Sequence, residues 1–127
     1  MSDEKKDLNL EKQIFSEQIE KILKELPFKV QPLIINKNDS MKKRIELGLS
    51  QVETEGYVLL VGKSSAVQKA ISITEIIKQR KTLKQYNKLS KISIVKHSDI
   101  ESSKTINLPI LLSLLAVDEV NCQWTKQ

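Results

Sequence analysis

Apolar residues recur along this chain first with a helical period and then with the period of a strand, and each change of period marks an element. Between residues 10 and 26, Phe15, Ile19, Ile22 and Leu26 stand at i, i+4, i+7 and i+11 among charged residues. That spacing predicts an amphipathic helix stopped by Pro27. "VQPLIIN", Val30 to Asn36, is short, apolar and β-branched, a strand whose early Pro32 keeps its missing amide out of the ladder. Asn38, Asp39 or Ser40 can cap a second helix whose Met41, Ile45, Leu49 and Val52 share one face until Gly56 ends it. "YVLLVGK" then reads as a strand buried on both faces.

Ser64 or Ser65 can cap a third helix, with Val67, Ala70, Ile71, Thr74 and Ile77 in one stripe that Ile73 and Ile76 widen. Its basic end, Lys78 to Lys81, suits the negative pole of the helix dipole. "KLSKISIVKH" alternates through Ile92, Ile94 and Lys96 as a strand with one wet face. "NLPILLSLLAV" is apolar on both parities, with Ile110, Leu112 and Leu114 on one and Leu111, Leu115 and Val117 on the other. The order is a helix followed by β-α-β-α-β-β, a mixed α/β, two-layer α+β sandwich with a partly parallel sheet. If both crossover helices cover one face, the other needs the N-terminal helix or a partner protein, and a partner is the preferred cover. No internal repeat or low-complexity segment is visible.

Composition changes this picture little. The chain has 127 residues, enough for one core, with 39% hydrophobic and 29% charged residues, three glycines and three prolines, as in folded domains. No run is apolar enough to span a membrane, and "MSDEKKDLNLEKQ" lacks the features of a secretory leader, so a cytoplasmic or nuclear protein with no membrane partner is expected. One cysteine, Cys122, agrees with a reducing compartment, and one histidine leaves no zinc or heme spacing. No metal or cofactor is expected.

Charge matters more. Residues 1 to 28 hold seven acids against five lysines, whereas residues 29 to 104 hold fifteen basic residues against seven acids. The densest stretch carries Lys78, Arg80, Lys81, Lys84, Lys88, Lys91 and Lys96 without an acid, and "NKNDSMKKR" carries Lys37, Lys42, Lys43 and Arg44. Such density suits a polyanion, although a solvated lysine-rich surface would read the same.

Gly62-Lys63-Ser64 invites comparison with the end of a nucleotide-binding P-loop. That loop needs a glycine five residues before its second one so that successive amides wrap phosphate. Tyr57 stands there instead, and "VLLV" between is a strand. Nucleotide hydrolysis through Lys63 is therefore disfavoured. His97 has no triad partner nearby, Cys122 reads as a small terminal residue, and Glu75 pairs most simply with Lys78. A non-catalytic protein is expected. Trp124 can anchor the tail on its own domain or on a partner.

Strand, Gly62-Lys63, then Ala66, Val67, Lys69 and Ala70, followed by Glu75, Ile76, Ile77, Lys78 and Arg80, resembles the Alba family of small basic nucleic-acid-binding proteins, whose fold has this element order. "INKNDSMKKRIELGLSQV", "QYNKLSKISI" and "NLPILLSLLAVDEV" further resemble the fungal Alba-like subunit of nuclear ribonuclease P and ribonuclease MRP. The N-terminal amphipathic helix, given residues 1–28, lies outside the Alba core, and the resemblance implies an Alba-like nucleic-acid-binding domain over 29–127. It also implies an RNA-binding scaffold for tRNA 5′ and ribosomal RNA processing in nucleus and nucleolus. The implied partners are the ribonuclease RNA, in some yeasts telomerase RNA, a second Alba-like subunit in a heterodimer, and larger ribonucleoprotein subunits. An Alba-type DNA or chromatin homodimer is the alternative, although a serine stands where the archetypal loop often has a second glycine.

In that fold the strand-to-helix loops at one edge face the nucleic acid. The resemblance thus points to Lys37, Lys42, Lys43 and Arg44 at the first loop and Lys63 at the second, with Lys69 one turn on, where helix starts also favour phosphate. Arg80, Lys81 and Lys84 belong to a stretch, Lys78 to Lys91, that reads as a flexible basic connection gripping phosphates without reading sequence. Tyr86 within it could stack on an unpaired base or pack at home. Four to six engaged phosphates would give a log–log salt slope of roughly −3 to −5, with helical RNA bearing a loop or bulge as the expected ligand.

Overall fold

The computed structural model describes residues 2–97 and 103–127. Its elements are α1 (Ser2–Leu23), β1 (Leu33–Ile35), α2 (Met41–Glu55), β2 (Tyr57–Lys63), a 3-10 turn (Ser64–Ala66), α3 (Val67–Arg80), β3 (Lys84–His97), β4 (Ser103–Ala116) and β5 (Thr125–Lys126). The strands form one sheet in the order β1-β2-β4-β3-β5. β1 and β2 are parallel, with Ile35 level with Gly62, and the other neighbours run antiparallel. This is the expected mixed α+β fold.

Local chemistry explains most boundaries. Ser40 caps α2 by accepting from the Lys43 amide at 3.3 Å, and Gly56 closes it with φ of 83°, a left-handed conformation glycine adopts freely. The expected serine cap on α3 is corrected: Ser64 and Ser65 belong to the 3-10 turn, Ala66 holds the N-cap position, and no side chain caps it. α1 ends at Leu23, ahead of the expected stop, because the residue before Pro27 is kept from helical geometry. Leu26 still reaches the core, 7% exposed.

β2 is the axis of the molecule, with neighbours on both edges and helices on both faces. Val58 and Leu60 pack with Ile45, Val52, Ala70, Ile73 and Ile77 beneath α2 and α3. Leu59 and Val61 point the other way, into a cluster with Ile19, Ile22, Ile110, Leu112, Leu114 and Trp124. The apolar second face is thus covered by α1 and not by the partner that the sequence favoured. Burying each of Ile19 and Ile22 there contributes about 1.5–3 kcal/mol before entropy.

The stretch Lys84–Lys91 is also corrected, from flexible connection to the first half of β3, paired residue by residue with β4. Its inward positions include Tyr86, 3% exposed, whose hydroxyl accepts from the Val120 amide at 3.0 Å. The tail then folds back. Trp124 is buried, its indole N–H donating to Glu25 at 3.3 Å, while Lys88 pairs with the same carboxylate at 3.2 Å. Lys126 donates to Glu119, which holds that exposed carboxyl below its ordinary range and raises the ammonium. β5 pairs β3 only at Tyr86 and Asn87, so among the described residues the rest of that long edge has no strand beside it.

Candidate nucleic-acid interface

Because β1 and β2 are parallel and level, both deliver their following loops to the same end of the sheet. The first loop is braced from within. Asp39 Oδ2 accepts from the Asn36 amide at 2.8 Å and meets Arg44 Nε at 3.0 Å. Lys69 Nζ reaches over from α3 to the carbonyls of Lys37 and Asp39 at 2.5 and 2.8 Å. Arg44 and Lys69 therefore hold this loop in shape. Lys37, Lys42 and Lys43 are exposed around it.

The second loop begins at Lys63. Gly62 before it is buried, and a Cβ there would stand 2.8 Å from Ala70 Cβ, 2.9 Å from the Ala66 carbonyl oxygen and 3.1 Å from Val67 Cα. Its missing side chain thus admits α3 against β2, not a phosphate against the backbone. Ser64 carries the turn at φ of 55°, a left-handed position uncommon outside glycine. Lys63 Nζ lies 3.2 Å from Glu11 Oε1 of α1 and 5.0 Å from the centre of the Phe15 ring. A cleft of about 500 Å3 opens between α1 and the two loops, lined in part by Lys12, Phe15, Asn36, Lys37, Lys63 and Ser64.

A third element joins them. The last β2–β4 pair is Lys63 with Ile110, and past it Lys91–His97 and Ser103–Pro109 pair only with each other. This two-stranded arm projects from the same end of the sheet, backed by α1 through Ile92 and Ile94. Lys91 and Lys104 are exposed on it, and Lys104 lies opposite Lys96 in the register. These arm lysines were not among the candidates read from sequence, where Lys91 was only the tail of a basic run and the pairing of Lys104 was invisible. Asp99 and Glu101, and the side chain of His97, lie outside the described residues.

The remaining candidates stand elsewhere. Lys84 pairs with Ala116, which also pairs with Tyr57 at the start of β2, so Arg80, Lys81 and Lys84 cluster at the opposite end of the sheet from Lys63. Six residues of strand separate the two ends, about 20 Å. Tyr86 is enclosed in the core and offers no open ring face. The basic platform gathered by the fold is Lys37, Lys42, Lys43 and Lys63, flanked by Lys91 and Lys104.

On the α3 side of the β3–β4 hairpin a second surface stays open. Leu89 is 73% exposed and Ile71 40%, beside Pro109 and the half-buried Leu111, while Val95, 48% exposed, stands six residues farther out on the arm, about 20 Å away. Next to Ile71 and Leu111, Asn87 Oδ1 accepts from Gln85 and Ser113 at 3.0 and 2.9 Å. Gln85 is buried and its Oε1 has no hydrogen-bond partner. Among the described residues, no group of three or more His, Cys, Asp or Glu side chains could hold a metal, and no helix is long and apolar enough to cross a membrane.

The Alba family model matches residues 33–93, which run from β1 into the arm. Among solved structures, Alba from Thermoplasma volcanium superposes with a TM-score of 0.51 at 10% sequence identity, covering 68% of this chain and 99% of that one. No curated protein matches the chain in sequence.

Proposed function

Because residues 33–93 match the Alba family and the chain has the Alba fold, whose family is in general nucleic-acid-binding, we propose that this protein binds folded RNA without catalysing its cleavage. The observation that carries the reading is the convergence of Lys37, Lys42, Lys43 and Lys63 on one end of the sheet, beside a projecting basic arm. Ammonium groups on loops and a strand pair, with few aromatic or amide groups among them, suit phosphates and shape over base edges. The exposed faces of these lysines can neutralise successive phosphates along a helical stretch.

The finer form of this reading is a scaffold subunit of ribonuclease P and ribonuclease MRP, acting in nucleus and nucleolus in tRNA and ribosomal RNA processing. It would pair with a second Alba-like subunit, and telomerase RNA is a further candidate ligand. It is supported by the sequence resemblance described above and by the open apolar surface around Leu89 and Ile71, which a second subunit would cover. Leu89→Asp is expected to weaken co-purification with a co-expressed Alba-like subunit by at least about ten-fold, leaving the RNA affinity of the lone chain unchanged. Undiminished pairing would remove this surface from the reading.

The RNA reading is tested by fluorescence anisotropy on a labelled RNA hairpin with a bulge. Replacing Lys37, Lys42, Lys43 and Lys63 together by glutamine is expected to weaken binding about 100-fold near 0.1 M salt and to flatten the log–log salt slope by about 3 to 4. An unchanged slope would refute the platform. Duplex DNA of the same sequence serves as competitor: equal or tighter DNA binding favours an Alba-type DNA or chromatin homodimer. Sequencing the RNA that copurifies with a tagged copy identifies the ligand.

A further inference from the structure

Lys63 is claimed by the first helix and not left to solvent. Glu11 and Phe15 stand one turn apart on the same face of α1, the spacing that brings two side chains onto one partner. The carboxylate takes the Lys63 ammonium at 3.2 Å, and the Phe15 ring lies 5.0 Å beneath it. Roughly a quarter of each charged side chain is exposed, 25% for Lys63 and 24% for Glu11, so the pair is partly shielded yet reachable. The helix does not depend on this pair for its position, because Ile14, Phe15, Ile19 and Ile22 hold it to the sheet by apolar contact.

A carboxylate oxygen and a phosphate oxygen make the same demand on an ammonium: a short, charge-assisted hydrogen bond from one of its three donors. Lys63 sits between the first loop and the arm, with the neighbouring cleft running to Lys37. We propose that Glu11 is a built-in competitor for nucleic-acid phosphate at Lys63, an autoinhibitory contact that a bound RNA has to exchange out. This inference rests on the RNA-binding reading of Lys63. An isolated phosphate gains only one ion pair and loses another, so it gains nothing by the exchange. A helical RNA that already engages Lys37, Lys42 and Lys43 holds its next phosphate at high local concentration and displaces the carboxylate. The contact thus filters for polyanions long and regular enough to span the platform.

The test is an anisotropy titration of the bulged RNA hairpin with the full chain at about 50 and 200 mM salt. Glu11→Gln keeps the size of the side chain and is expected to bind about two- to five-fold tighter at the lower salt, with a smaller gain at the higher. Glu17→Gln removes the same charge from an exposed position on the same helix and is expected to shift affinity by less than half as much. In a Lys63→Gln background, Glu11→Gln is expected to give no gain, since the two act on one another. A silent Glu11→Gln, an equal gain from Glu17→Gln, or a gain that survives Lys63→Gln would each overturn the autoinhibitory contact. If Lys63→Gln alone leaves RNA binding unchanged, the phosphate-binding reading of Lys63 falls first. If it weakens binding while Glu11→Gln is silent, only the competition falls.

Discussion

Gly62→Ala is expected to lower the stability of the protein by about 3 kcal/mol, or roughly 10 °C in melting temperature, although it adds a single methyl group. The position tolerates nothing because the added carbon would meet Ala70 Cβ at 2.8 Å, the Ala66 carbonyl at 2.9 Å and Val67 Cα at 3.1 Å. Two of those atoms are backbone at the start of α3, so no rotamer change relieves the clash. Helix α3 must move off β2, and with it go Ala70, Ile73 and Ile77 from the core cluster beneath it. On the proposed function, loss of RNA affinity should accompany the loss of stability, since Lys63 is the next residue along the strand and its loop leads into that helix. Thermal denaturation followed by circular dichroism reads the first effect. A melting temperature within about 2 °C of the parent would show that strand and helix can separate cheaply, contrary to the packing described.

Ile22→Ala is the second large effect, expected to cost about 2–5 kcal/mol, as for other buried isoleucines cut back to alanine. Ile22 is 2% exposed and lies against the sheet face built by Leu59, Val61, Ile110, Leu112 and Leu114. Leu47→Ala on α2 is the control: at 52% exposure it should change stability by no more than about 0.5 kcal/mol. A chain beginning at residue 29 carries the same reasoning further, since it uncovers that whole face at once and is expected to aggregate. If the shortened chain instead melts cooperatively near the parental temperature, α1 is an appendage and its packing contributes little.

Much of this fold could be read from the order of apolar residues. α2 and α3 each carry an unbroken helical period, β2 is a continuous apolar run, and Ser40 and Gly56 sit where caps belong. β3 was read only from Lys88 onward, because its first four residues contain a single large apolar side chain, Tyr86, and one residue shows no period. The partner expected on the second sheet face was wrong for a related reason: the stripe Phe15, Ile19, Ile22, Leu26 announces that something is covered without saying what. Of the candidate site, the lysines of the two loops were placed at one edge by the resemblance, and the parallel pairing of β1 and β2 brings those loops together. The grip of Lys69 on two carbonyls of a loop about 30 residues away, and that of Glu11 on Lys63 across 52 positions, could not. Such pairs depend on tertiary register, which leaves no local mark. Arg80, Lys81 and Lys84 looked continuous with the other basic residues in sequence, yet α3 runs back from the Lys63 end to the end where β2 began and carries them there.

The outer border of β3 has a further consequence. Beyond Asn87 it offers a row of amide and carbonyl groups to any extended chain that drifts alongside, the geometry from which fibrils grow. Lys91 stands exposed on that border, whereas Lys88 is paired with Glu25, and two such borders brought together would set Lys91 ammonium groups against one another. The Lys91 charge therefore works against self-association whether or not a nucleic acid is present. Neutralising Lys91 should show as turbidity at high protein concentration.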